Sequence, residues 1–221
     1  MMKKTALLMS LVLIVSTIAG CHMNRVSGSG NRQQQKRGVA SFTSISTNGA
    51  FEIDVTCQQP AALEIEGDDN ILPLVSTEVS NNVLHIKSLG SYSVSEPIKL
   101  KISVPNLEGI SVNGAGKIEI TGMKNEKFEI DSNGAPTIRV SGETKLVDID
   151  TNGAGKIDTH KLRASKAVVD TKGVSRVDVR AMDQLDVTIS GPSHVTYEGN
   201  PVVNKTINGP GNLERKASEG S

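Results

Sequence analysis

The chain has 221 residues, 24 basic against 24 acidic side chains, and 37% hydrophobic residues, the composition of a globular domain. Aromatic residues make up only 2% of it and Trp is absent, so an aromatic core is excluded. With no net positive charge and few rings for stacking, nucleic acid is excluded as a partner.

Residues 1–20 read as an export signal. Lys3 and Lys4 form the positive start, and Ala6 to Ile14 form a short apolar run. The apolar stretch ends at Gly20, short of the ~20 apolar residues that span a bilayer as a helix. It closes on Ile18-Ala19-Gly20-Cys21, which resembles the lipobox of bacterial lipoproteins. That resemblance implies cleavage before Cys21, a diacylglycerol on its thiol and an acylated amine. His22, where Asp would imply inner-membrane retention, implies the outer membrane. Residues 21–38 then read as the lipidated Cys and a flexible tether, because Gly, Ser, Gln and Arg cannot bury a core. With Cys21 acylated, Cys57 has no intrachain partner and is expected as a small buried hydrophobe.

The rest of the chain repeats. SVNGAGKIEI, DSNGAPTIRV, DTNGAGKIDT, DTKGVSRVDV, TISGPSHVTY and TINGPGNLER align on Gly114, Gly134, Gly153, Gly173, Gly191 and Gly209, with spacings of 20, 19, 20, 18 and 18. Four residues after these glycines stand Ile118, Ile138, Ile157, Val177, Val195 and Leu213. Four residues before stand Ile110, Ile130, Ile149, Val169, Val187 and, out of pattern, Lys205. Further units centre on Gly49 and Gly67. The alternation within each unit has period two, which is strand and not helix. A unit of 18–20 residues cannot bury its apolar face alone, so stacking is required and the eight glycines mark the corners of the rungs. The expected product is an all-β solenoid of about nine turns, roughly 40 Å long at the usual strand spacing. The column two before the glycines (Val112, Ser132, Thr151, Thr171, Ile189, Ile207) is expected inside, with its hydroxyls bonded along the ladder. Asn113, Asn133, Asn152 and Asn208, at the corner itself, are expected to satisfy one another.

ASFTSISTNGAFEIDV, LEIEGDDNILPLVSTEV and LKISVPNLEGISVNGAGKIEI resemble the GIN domain, described as the head of an autotransporter adhesin. Gly67-Asp68-Asp69-Asn70 and Gly114-Ala115-Gly116 are the specific motifs, and the resemblance covers residues 39–216, with 217–221 a tail. It implies a single-stranded right-handed parallel β-helix and no catalytic residues to transfer.

One constellation has chemistry in it. Asp131, Asp150 and Asp170 recur three residues before successive glycines, with Glu129, Asp148 and Asp186 on the same outward face. Neighbouring carboxylates about 5 Å apart either recruit a cation or form a solvated face, and a flat ladder offers fewer than the six to eight oxygens Ca²⁺ takes. Lys117, Lys156 and Arg176 stand beside Glu119, Asp158 and Asp178 as an outward charge pattern. Uniform rungs leave no long loops to wall a catalytic cleft, and the four His are scattered. The sequence therefore points to a lipid-anchored, cofactor-free envelope protein that binds or adheres to a glycan or an envelope protein. A structural assembly component, or a polysaccharide-active enzyme, are the alternatives.

Overall fold

The computed structural model describes residues 25–217. Cys21, the leader 1–20 and residues 218–221 lie outside this range. The described chain is all-β, with 14 strands, one 3₁₀ turn at Leu72–Leu74 and no α-helix. In chain order the strands are β1 (Val26–Ser27), β2 (Arg32–Arg37), β3 (Ser44–Cys57), β4 (Ala62–Asp68), β5 (Val75–Ser80), β6 (Val83–Ser88) and β7 (Tyr92–Ser93). They continue as β8 (Ile98–Val104), β9 (Gly109–Gly153), β10 (Lys156–Gly173), β11 (Arg176–Ser190), β12 (His194–Glu198), β13 (Val202–Asn208) and β14 (Asn212–Arg215).

From Gly109 onward every pairing between strands is parallel, and each coil lies on the one before it. Gly114 pairs with Gly49 and Gly173 with Gly153. β9 runs 45 residues, which at about 3.3 Å per residue cannot be straight. It turns at Gly114, Gly122, Gly134 and Gly142, all with positive φ. Gly114, Gly134 and Gly142 have no room for a side chain. A Cβ on Gly134 would run into the carbonyl oxygen of Gly114, and one on Gly153 into that of Gly134. Glycine is required there for the close approach as much as for the φ value.

The two aliphatic columns are inside. Ile138, Ile157, Val177 and Val195 are completely buried, as are Ile149 and its neighbours in the other column. Lys205 pairs in register with Val187 at the top of that second column, where no further coil covers it. Cys57 is buried among the aliphatics, and that burial pushes its thiol up to about 11.

A parallel β-helix throughout is not what forms. The interval from Gly49 to Gly114 is a long excursion rather than one rung, and its strands make a mixed sheet. β6 and β8 lie parallel to β3 and form a coil beneath it. β5 folds back antiparallel on β6, and β4 is antiparallel to both β8 and β2. Asn81 and Asn82, with φ of 51° and 61°, form the two-residue β5–β6 loop, the geometry that suits strand twist. The stack therefore has eight levels, roughly 35 Å at the usual strand spacing.

Gly67, expected at a rung corner, is instead an ordinary position of β4, opposite Gln33. It lacks the positive φ of the corner glycines and packs between Leu72 and Ile98. Part of the segment expected as a flexible tether, residues 21–38, is instead ordered. Arg32–Arg37 is a strand, because its polar side chains are used individually. Arg37 donates to the carbonyls of Val75 (2.6 Å) and Leu72 (2.9 Å), capping the 3₁₀ turn. Arg32 pairs with Glu66 at 3.1 Å and donates to Pro97 O at 3.2 Å. A charged, Gln-rich outer strand closes the sheet against pairing with another chain.

Candidate functional site

The acidic strip exists, but it is not bare. Asp150 and Asp170 are paired in register on adjacent coils, and Lys172 Nζ lies 3.7 Å from one and 3.6 Å from the other. Asp131 is exposed and accepts from Asn133 Nδ2 at 2.9 Å. Asn133 thus bonds a carboxylate rather than the next Asn, which corrects the expected amide ladder. Asp148 and Asp186 are separated in register by Val168, so the flanking acids do not form a continuous row. Lys166 holds Asp186 at 2.8 Å, and with Asn204 and Gln184 it brings that carboxyl down to about 2. Among the described residues no group of three or more His, Cys, Asp or Glu is arranged to hold a metal ion.

The inward hydroxyl column is buried as expected, but its bonding differs. Thr151 Oγ1 meets Ser175 Oγ at 3.0 Å across the corner, while Ser132 Oγ and Thr171 Oγ1 have no partner. A second hydroxyl ladder, two residues after the corner glycines, does run along the stack. Ser175 Oγ donates to Gly153 O (3.3 Å) and Ser193 Oγ to Gly173 O (3.0 Å).

A concavity lies on the side of the coils opposite the Gly114, Gly134 and Gly153 corners, next to the turns at Gly122 and Gly142. It is a groove of about 990 Å³, built from short bends at 106–108, 124–129, 143–145, 163–165 and 182–183. Each coil adds a few polar side chains at the strand spacing. Lys145 pairs with Glu126 at 2.6 Å and Lys127 with Glu129, a contact that raises Lys127 above its ordinary value. Arg163, Glu143 and Asp183 complete the wall. Glu129 is the one member of the acidic pattern that lines this groove; Asp131, Asp150 and Asp170 do not.

Two further polar clusters stand at the ends. At the N-terminal end, Asp69 accepts from Ser29 Oγ (2.5 Å) and Asn31 Nδ2 (2.9 Å), and Asp68 accepts from Gly30 N (3.0 Å). Asn70 bonds Ser29 N (2.9 Å) and Ser27 O (2.8 Å). The Gly67–Asn70 motif therefore clamps residues 27–31 onto the body. At the other end Asp178, only 7% exposed, accepts from Thr196 and from Lys216 Nζ at 2.8 Å. Burial works to raise the Asp178 carboxyl, but these two donors outweigh it and hold it below its ordinary value. Asp178, expected on the outward face, is instead buried, and its partner is Lys216.

A family described as "Putative auto-transporter adhesin, head GIN domain" matches residues 41–201. The chain is a member of the GIN-domain family. Two solved structures share its fold. One is a "putative adhesin" from Bacteroides fragilis NCTC 9343, with 22% identity, a TM-score of 0.67 and coverage of 87% of this chain and 99% of that one. The other is a "putative lipid binding protein" from Parabacteroides distasonis ATCC 8503, with 19% identity, a TM-score of 0.51 and the same coverage. No curated protein sequence matches the chain. Within this GIN domain the groove and the two end clusters escaped the sequence reading. Their residues belong to bends whose lengths vary, so no fixed spacing announces them. The recurring Lys and Glu at 124–129 and 143–145 were the visible signal.

Proposed function

We propose that this GIN-domain protein is a non-catalytic envelope lipoprotein whose stacked coils present a polar groove for binding a glycan chain or an extended segment of an envelope protein. The observation that carries this reading is the groove itself. It is open, it runs across successive coils, and each coil repeats a set of charged hydrogen-bonding groups at about 4.8 Å intervals. That is a surface for an extended polar ligand rather than a closed pocket for a small one. Two carboxylates of the wall are already paired with cations, Glu126 with Lys145 and Glu129 with Lys127, an arrangement that suits a binding surface. The family description and the adhesin-like fold point the same way.

The lipid anchor is part of the proposal. Cys21 in its lipobox setting carries the acyl chains, the leader 1–20 is removed, and the coils stand on the outer membrane. Replacing Cys21 by Ser and fractionating the cells tests this: release from the detergent-soluble membrane fraction is expected, and unchanged retention would contradict it. The coil stack from residue 109 onward is taken as the right-handed β-helix of the family's resemblance, mounted on the mixed N-terminal sheet. Binding is tested by a screen of the purified full chain in detergent against peptidoglycan, lipopolysaccharide and host glycans. Saturable binding to one of them is expected. Failure against all, with co-purification of one fixed envelope protein, would move the reading to assembly.

A further inference from the structure

The C-terminal end of the stack carries a feature unlike the rest of the surface. A pocket of about 670 Å³ opens there, and Arg180 of β11, Arg215 of β14 and Lys216 all line it. Three cations from two levels of the stack converge on one concavity. Its other lining residues, Met182, Gly199, Asn200 and Ala217, bring no carboxylate.

Elsewhere on the coils acids and bases interleave, as along the groove and at Lys172 between Asp150 and Asp170. Here they do not. Arg180 is paired in register with Arg163 on the coil beneath, which puts two guanidinium-bearing strands at about 4.8 Å. Like charges in register oppose strand pairing. Glu198 is the register partner of Arg180 on the other side, yet neither Arg163, Arg180 nor Arg215 forms an ion pair among the described residues. The one buried carboxylate at this end, Asp178, is already committed to Lys216 and Thr196. That bond, with the Lys216 N–H on Tyr197 O at 2.9 Å, fixes the pocket floor.

We propose that this pocket binds a phosphate group. Two guanidinium forks and an ammonium approaching from separate segments suit a tetrahedral, multiply charged oxyanion better than a planar carboxylate. Such a ligand would also relieve the repulsion between the stacked arginines. This site adjoins the side groove, sharing Met182 with it, but Arg180, Arg215 and Lys216 lie outside the groove wall, and the proposal does not depend on what the groove binds or on the lipid at Cys21.

Scanning calorimetry of the full chain in detergent tests it, with inorganic phosphate titrated against chloride at matched ionic strength. The melting temperature should rise with phosphate and keep rising with the logarithm of its concentration above Kd, as mass action on a native-state site requires. The double variant Arg180→Gln, Arg215→Gln should melt in chloride no lower than the parent and lose the phosphate-dependent rise. Short-chain phosphatidic acid, compared with short-chain phosphatidylcholine, separates the sources. A rise at concentrations tenfold or more below those of inorganic phosphate assigns the group to a lipid headgroup, and an equal rise assigns it to free phosphate. If neither phosphate nor phosphatidic acid shifts the melt beyond chloride, or if the double variant keeps the shift, the proposal is wrong.

Discussion

Ile138 and Arg139 are neighbours in sequence with opposite fates. Ile138 is completely buried in a column shared with Ile118 and Ile157, and Arg139 points outward. Ile138→Asp places an unpaired carboxylate in that column and should cost roughly 4 kcal/mol or more. Arg139→Asp should change stability by less than about 0.5 kcal/mol, as exposed substitutions do. Denaturant unfolding of the two variants checks this, and similar midpoints would contradict the inward and outward assignment. This alternation was legible because period two and a near-constant rung length survive in the sequence. The hydroxyl bonds were not legible. Ser132 and Thr171 were correctly expected inside, yet the partner of Thr151 is Ser175 across a corner, which strand spacing does not reveal.

Acid should act through two residues. The carboxyls of Asp186 and Asp178 both lie below their ordinary value of 3.8, Asp186 at about 2. A depressed carboxyl contributes stability above its unfolded value and loses it as pH falls through the folded one. The melting temperature should therefore be level above about pH 5 and fall between pH 4 and 2. In Asp186→Asn and Asp178→Asn the fall should be shallower. A melt that is flat from pH 5 to 2 would contradict the assigned bonds.

At the scale of elements, the coils after residue 109 and the excursion before it follow different rules. The coils repeat because the corners at Gly114, Gly134, Gly153, Gly173 and Gly191 each admit only glycine against the glycine below, so spacing in the sequence reports geometry directly. The excursion contains antiparallel strands whose turns obey local chemistry, such as the Asn81-Asn82 turn, which the sequence reading passed over. Composition misled at Arg32–Arg37. A polar segment looks like a tether unless its partner strand is known, and that partner, β4, lies some thirty residues on. The clamp at Asp69 makes this arm part of the fold. Asp69→Ala removes the acceptor for Ser29 and Asn31, so backbone amides of residues 29–31 should exchange with solvent much faster while those of β9 and β10 stay protected. Unchanged exchange at 29–31 would show that β2 pairing alone holds the arm.

At the scale of the molecule the two ends are finished differently. The N-terminal end is closed by β2, an antiparallel charged strand. The other end stops at β13 and β14, where Val202 is 69% exposed and Ile207 37%. Lys205 stands there in the aliphatic column, an inward-facing charge of the kind that blocks end-to-end strand addition. Lys205→Val should restore the column and promote association, seen as concentration-dependent growth in sedimentation. A variant as dispersed as the parent would show that this lysine is not the block.

Between these ends lies the side groove proposed as the recognition surface. The direct measurement is equilibrium binding of the full chain to the glycan that the screen identifies, comparing Lys145→Glu with Arg163→Glu in one double variant and Asp150→Lys with Asp170→Lys in another. The first reverses charge in the groove and the second reverses it on the acidic strip, with melting temperatures as the control for folding. The groove variant should lose binding tenfold or more and the strip variant should keep it. Equal losses, or a loss confined to the strip variant, would contradict the groove as the binding surface.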